Sequence, residues 1–268
     1  MTHDSQKDKA KTPLQLDSEP SSNPIDRRKA LGLMGFAAIA TVAASCGGST
    51  KTSSSSSSTS SSNSSSSCAV TPEGEEGPYF VDDSASGFNR SNILSNLDGT
   101  STQSGIPLTL NLYVYDSENS CAAMQSVQVD IWHCNADGVY SDESVESTVG
   151  ETWCRGYQLT DANGLVTFAT IVPGWYSGRT THIHLRLRST YDSSSNSGTN
   201  TTQLFFPQTL IDTISTTVTP YSTHGTNSTT NASDHVYTPE TLGETLLTLT
   251  GDTTNGYTAT FKLNLPIT

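Results

Sequence analysis

The chain has 268 residues, room for one or two domains, and its charged (15%) and hydrophobic (33%) fractions are low because a serine tract dilutes them. Its formal net charge is −13, and the acidic excess lies beyond residue 45, which excludes nucleic acid and anionic membrane surfaces as main partners. No apolar run reaches the ~18 residues of a spanning helix.

Residues 1–24 are polar. Asp26-Arg27-Arg28-Lys29 then precedes an uncharged stretch from Ala30 to Ser45. Paired arginines before a short apolar run look like a twin-arginine export signal, so residues 1–45 are expected to be a signal peptide with a polar extension. The run ends in Ala43-Ala44-Ser45-Cys46. Small residues before a cysteine resemble a lipoprotein cleavage site, which makes Cys46 the expected lipid anchor; the alternative is simple secretion. Ser49 to Ser67 is almost wholly Ser, Thr and Asn. It has no apolar surface to bury, so 46–67 is expected to be a flexible tether. The expected location is the cell surface or the exterior, and the expected folded domain is 68–268.

That domain holds Cys68, Cys121, Cys134 and Cys154. An even number in an oxidising compartment allows two disulfides, with three possible connectivities. We expect 134–154 and 68–121, with free buried thiols as the alternative. No C-x-x-C spacing supports a cysteine-rich metal site.

Strand signals dominate from Ala69. Leu108, Leu110, Leu112 and Val114 alternate with other residues, as do Val127, Val129 and Ile131, then Val166 and Phe168. The same holds for Ile183, Leu185 and Leu187, and for Tyr257 to Leu265. Period-two alternation in short runs marks half-buried strands. Asp137-Gly138, Asn163-Gly164, Pro173-Gly174 and Asn255-Gly256 read as turns. No long segment carries a 3.6-residue period, and 191–202 and 222–234 read as loops. The expected fold is all-β, a single antiparallel sandwich with long loops.

The residues able to do chemistry gather in a few of these segments. In Thr181-His182-Ile183-His184-Leu185-Arg186-Leu187-Arg188, strand geometry puts both histidines and both arginines on one face. Two imidazoles so placed can share one metal ion. Upstream lies Pro173-Gly174-Trp175-Tyr176-Ser177-Gly178-Arg179. Earlier, Asp130-Ile131-Trp132-His133-Cys134-Asn135-Ala136-Asp137-Gly138-Val139-Tyr140 runs a strand into a turn that ends in tyrosine. With Glu76-Gly77-Pro78-Tyr79 and Gln203-Leu204-Phe205-Phe206-Pro207, these ordered motifs resemble the intradiol ring-cleavage dioxygenases. The likeness spans about Thr71 to Pro207 and is nearest to the extracellular branch.

The resemblance implies a mononuclear non-haem Fe(III) held by Tyr140, Tyr176, His182 and His184. It implies an active-site arginine at Arg179 and a pocket glutamine at Gln203, with Tyr79 beside the substrate. The donor types suit the ion. Free tyrosine has a pKa of about 10, and only a strong Lewis acid holds it as phenolate at neutral pH. The implied substrates are a catechol and O2. The ring would open between its two hydroxylated carbons to a muconate-type diacid, with Tyr176 leaving the metal to take a catechol proton and Arg179 stabilising negative charge.

Departures from the family are also visible. His133 stands where intracellular relatives more often carry Gln, and the helical segment that dimerises many catechol dioxygenases is missing from the N-terminal side. Substrate choice is open: the acidic balance disfavours carboxylated catechols, while Arg179 and Arg155 could offset it locally. His224 and His235 read as solvated loop residues. The competing reading is a non-catalytic surface lipoprotein that binds a sugar, a catecholate or a protein. A structural zinc or copper site is a third.

Overall fold

A computed structural model of the chain describes residues 68–81, 87–188, 199–237 and 243–266. The expected signal peptide, Cys46, the serine tether and residues 191–198 of one expected loop lie outside the described residues.

Among the described residues nine strands form two sheets. In the first, β1 (Pro107–Asp116) is central. It pairs on one side with β9 (Gly256–Leu265) and on the other with β5 (Leu165–Ile171) and the short β2 (Ala122–Ala123); β8 (Leu249–Asp252) pairs with the far edge of β9. The second sheet has the order β4 (Arg155–Leu159), β3 (Gln128–Trp132), β6 (His182–Arg188), β7 (Thr199–Phe205). The β1 alternation sends Leu108, Leu110, Leu112 and Val114 inward, each no more than 1% exposed. They meet Val129, Ile131, Ile183, Leu185 and Leu187 from the facing sheet in one core, a packed two-layer solution.

The fold is all-β in its framework, as expected, with three departures. The first is that β1 and β9 run parallel, Leu108 opposite Tyr257 through Asp116 opposite Leu265. Alternation in sequence fixes which face a residue takes, not strand direction; after the long return from the other sheet, the β8–β9 hairpin lays β9 alongside β1. The second is a pair of helices, α1 (Gln208–Thr217) and α2 (Tyr221–His224). In α1 only Ile211 and Ile214 are buried apolar residues, and Thr, Ser and Asp fill most of the rest, too sparse a stripe to reveal a period. The third is that β7 begins at Thr199, inside the expected loop 191–202; its Thr- and Asn-rich start masks the strand.

Cys68 and Cys121 form a disulfide 53 residues apart, as expected. The expected 134–154 bond is not formed: both are free and buried. Register explains this. Trp132 pairs with Arg155, and the His133 amide donates to the Cys154 carbonyl. Cys154 is therefore opposite His133, and Cys134, one residue on, takes the other face.

Strand β6 alternates as predicted, but both of its faces are buried along the whole length. The histidine and arginine face is roofed by the segment from Thr71 to Phe80. The Gly74 amide donates to the Thr201 carbonyl, Gln203 Nε2 to the Glu75 carbonyl, and Arg186 to Glu76 at 3.2 Å. The site therefore lies beneath a strap rather than on an open sheet.

Candidate metal centre

Two loops and one strand meet under this strap. The first loop leaves β3 through Asn135 to Gly138 and delivers Tyr140. Asn135 Oδ1 accepts the amides of Asp137 and Val139, both at 3.0 Å, an Asx arrangement that closes the turn. The second loop, Pro173 to Arg179, delivers Tyr176. The Asn135 carbonyl takes the amides of both Gly138 (3.1 Å) and Gly174 (3.0 Å), which ties the loops together. A Cβ on Gly138, whose φ is +82°, would run into the Trp175 carbonyl, and one on Gly174 into that of Ala136. Both glycines are required by backbone passing against backbone.

Strand β6 supplies the histidines. His182 Nε2 and His184 Nε2 are 3.0 Å apart, and Tyr176 Oη lies 3.3 Å from His182 Nε2. The His184 ring packs at 6.2 Å from Tyr140 and stacks on Trp132 at 5.0 Å. His182 Nδ1 contacts the Thr180 carbonyl at 2.6 Å. A carbonyl only accepts, so Nδ1 carries the proton and Nε2 presents a bare lone pair to the centre.

The electrostatics favour neutral imidazoles. Burial, then the Arg179 charge, pulls His182 down to about 3. Burial and His182 pull His184 well below the usual histidine range. Burial pushes Tyr176 up to about 12, and burial, with Cys134 and Tyr176 nearby, pushes Tyr140 well above 10. Without a cation among them, both phenols stay protonated.

Three buried polar atoms here have no hydrogen-bond partner, Tyr140 Oη, His184 Nδ1 and Trp132 Nε1. Such orphans are costly in a finished core, and the Tyr140 phenol fits a ligand for an electrophile. Among the described residues no cluster of three His, Cys, Asp or Glu side chains stands here; the donors beside His182 and His184 are the two phenols. Zinc and Fe(II) sites ordinarily draw on thiolates or carboxylates. Two imidazoles with two phenols fit a ferric ion.

The remaining predicted residues are also brought here. Tyr79 stacks on Tyr140 at 4.3 Å and meets Tyr176 edge-on at 5.6 Å. Arg179 is 7% exposed. Its Nη1 is 3.5 Å from His182 Nε2 and its Nη2 donates to Gln203 Oε1. His133 does not join the centre: it bonds the Cys134 carbonyl and Thr170. Arg155, suggested as a local cation for substrate, is 2% exposed. It spends its guanidinium on the Tyr79 carbonyl and on Ser141, so it props the Tyr140 loop and the strap. His224 is exposed on α2, packed at 4.3 Å on Trp175.

One contributor was missed. Asp234 Oδ2 accepts Arg179 Nε at 2.9 Å and the Thr180 amide at 2.7 Å. Nearby, Asn227 bonds the Arg179 carbonyl (2.8 Å) and Asn231 the Thr180 hydroxyl (2.6 Å). This segment clamps the stretch that orients both Arg179 and His182. Its Asn/Ser/Thr-rich sequence reads only as loop; a lone aspartate within such a run was the available signal.

A family model described as dioxygenase matches residues 75–221. An intradiol ring-cleavage dioxygenase from Tetranychus urticae is 26% identical, with a TM-score of 0.63, over 74% of this chain and 95% of that one. The dioxygenase domain of a dioxygenase–carbohydrate-binding protein fusion from Streptomyces sp. SirexAA-E is 29% identical, with a TM-score of 0.52, over 75% and 100%. A 3-chlorocatechol 1,2-dioxygenase from Rhodococcus opacus 1CP shares the fold at 23% identity and a TM-score of 0.50, over 72% and 71%. No curated protein matches the chain. The chain belongs to the intradiol ring-cleavage dioxygenases, a family that opens catechol rings at non-haem iron(III).

Proposed function

We propose that the protein binds one Fe(III) through Tyr140, Tyr176, His182 and His184 and cleaves a catechol between its hydroxylated carbons. Both atoms of O2 enter the product, a muconate-type diacid. The observation that carries the reading is the convergence of two imidazole nitrogens and two phenols in one buried cluster, with Tyr140 Oη left without a protein partner. The non-catalytic binding module is not favoured, since such a module has no need of this donor set.

Bound there, a ferric ion supplies the Lewis acidity that ionises both phenols and makes a catecholate reactive toward O2. The two tyrosines then differ in role through burial. Tyr140 is 1% exposed and stacked under Tyr79, a fixed donor. Tyr176 is only partly buried and sits on a loop, so it can swing away and take a catechol proton at Oη. Arg179 faces the charge that builds on the substrate. Gln203 and Asp234 hold its guanidinium from two sides. Tyr79 and the strap limit water at the ring.

Delivery completes the reading. Residues 1–45 act as an export signal, Cys46 as a lipid anchor or the start of a secreted chain, and 46–67 as a tether. The Cys68–Cys121 disulfide fits an oxidising compartment. Catechol added to iron-loaded protein is expected to consume O2 one-for-one and yield a ring-opened diacid. Product carrying only one labelled oxygen after reaction under 18O2 would refute the assignment.

A further inference from the structure

The cations of the folded domain are few, and each arginine is already spoken for. From Cys68 to Thr268 the sequence holds one lysine, Lys262, and five arginines, Arg90, Arg155, Arg179, Arg186 and Arg188. Lys262 lies on β9 in the other sheet, its ammonium 5.8 Å from the Tyr115 ring. Arg90 donates to the Ser95, Thr152 and Arg155 carbonyls. Arg188 pairs with buried Asp130 at 2.9 Å. Neither is available to a ligand.

At the candidate centre every guanidinium has a carboxylate. Arg179 pairs with Asp234 at 2.9 Å, and the Asp234 side chain is 0% exposed. Arg186 pairs with Glu76 at 3.2 Å, and Arg155 has Glu143 at 3.9 Å besides its backbone bonds. The surplus around the strap is negative. Glu73 and Glu75 are exposed on it.

An anionic substituent entering this site would shed its water and find no uncommitted lysine or arginine among the described residues. Turning Arg179 from the reacting charge toward a ring substituent would break its bonds to Asp234 and Gln203 and leave the buried Asp234 charge to the amides of Thr180, Val236 and Tyr237 alone, a cost in a desolvated site. The negative rim also lowers the local concentration of anions. We infer that the site selects catechols whose ring substituents carry no negative charge and rejects those bearing a ring carboxylate. This inference rests on the reading under Proposed function and deepens it.

The test uses iron-loaded full-length protein and four substrates at one pH and ionic strength: catechol, 4-methylcatechol, 3,4-dihydroxybenzoate and 3,4-dihydroxybenzamide. The amide has the shape of the acid without its charge. The expected result is that methylcatechol and the benzamide stay within about tenfold of catechol in kcat/KM, while the benzoate falls roughly a hundredfold or more. A benzoate cleaved as well as catechol would overturn the inference alone. So would a benzamide that falls as far as the acid, because shape rather than charge would then decide. Cleavage of none of the four would overturn the inference together with the function it rests on.

Discussion

Tyr140→Phe is expected to abolish ring cleavage while leaving the metal-free protein at least as stable as the wild type. The two halves of that result have separate causes. The phenol oxygen is the only group removed, and it is buried without a hydrogen-bond partner. Removing an unsatisfied buried hydroxyl relieves a cost of about 1–3 kcal/mol, and the ring still packs on Tyr79 and fills its place in the cluster with Trp132 and Cys134. Activity depends on the oxygen as an anionic donor, so kcat/KM should fall by at least about 10³-fold, as when one member of an interdependent catalytic set is lost. His182→Ala should be equally inactive but less stable, since it leaves a hole beside His184 and Phe205. Thermal unfolding and oxygen uptake on the same samples separate the cases. A Tyr140→Phe protein that is active, or that has lost several kcal/mol of stability, would contradict the assigned role.

The second large effect is expected at glycines that carry no chemistry. Gly174→Ala and Gly138→Ala each push a methyl group into a backbone carbonyl of the opposite tyrosine loop. A carbonyl held by the loop framework cannot rotate aside like a side-chain tip. Both variants should unfold at clearly lower temperature, by more than about 4 kcal/mol, and lose iron binding, because the loops that bring Tyr140 and Tyr176 together are forced apart. Gly150→Ala is the control: like Gly138 it has positive φ, but nothing lies within 4 Å of the added carbon, so it should cost only about 1–2 kcal/mol and keep the iron. Equal losses in the Gly138 and Gly150 variants would mean backbone strain alone, not loop approach, explains the effect.

Much of this was legible in the sequence, for reasons that can be traced. The framework strands could be read because Leu108 to Val114 and Ile183 to Leu187 alternate without interruption. Strand spacing put His182 and His184 on one face, and Tyr140 and Tyr176 joined them only through the ordered motifs that resemble the family. What could not be read depends on distant pairing. The free thiols follow from a one-residue register between β3 and β4. The parallel β1–β9 pair and the burial of the β6 polar face depend on which segment arrives alongside. Arg155 looked like a substrate cation by charge, yet it is consumed by the Tyr79 and Ser141 backbones. Asp234 reaches the centre from a run with no local pattern, 55 residues beyond Arg179, outside the matched family region.

The most direct test of the central claim is the visible absorption spectrum of the iron-loaded protein, recorded before and after catechol is added without O2. Ligation by Tyr140 and Tyr176 predicts a broad tyrosinate-to-iron(III) charge-transfer band that shifts when catechol enters, and that weakens in Tyr176→Phe. An iron-loaded protein with no such band, or with a band indifferent to catechol, would contradict a phenolate-held iron open to substrate.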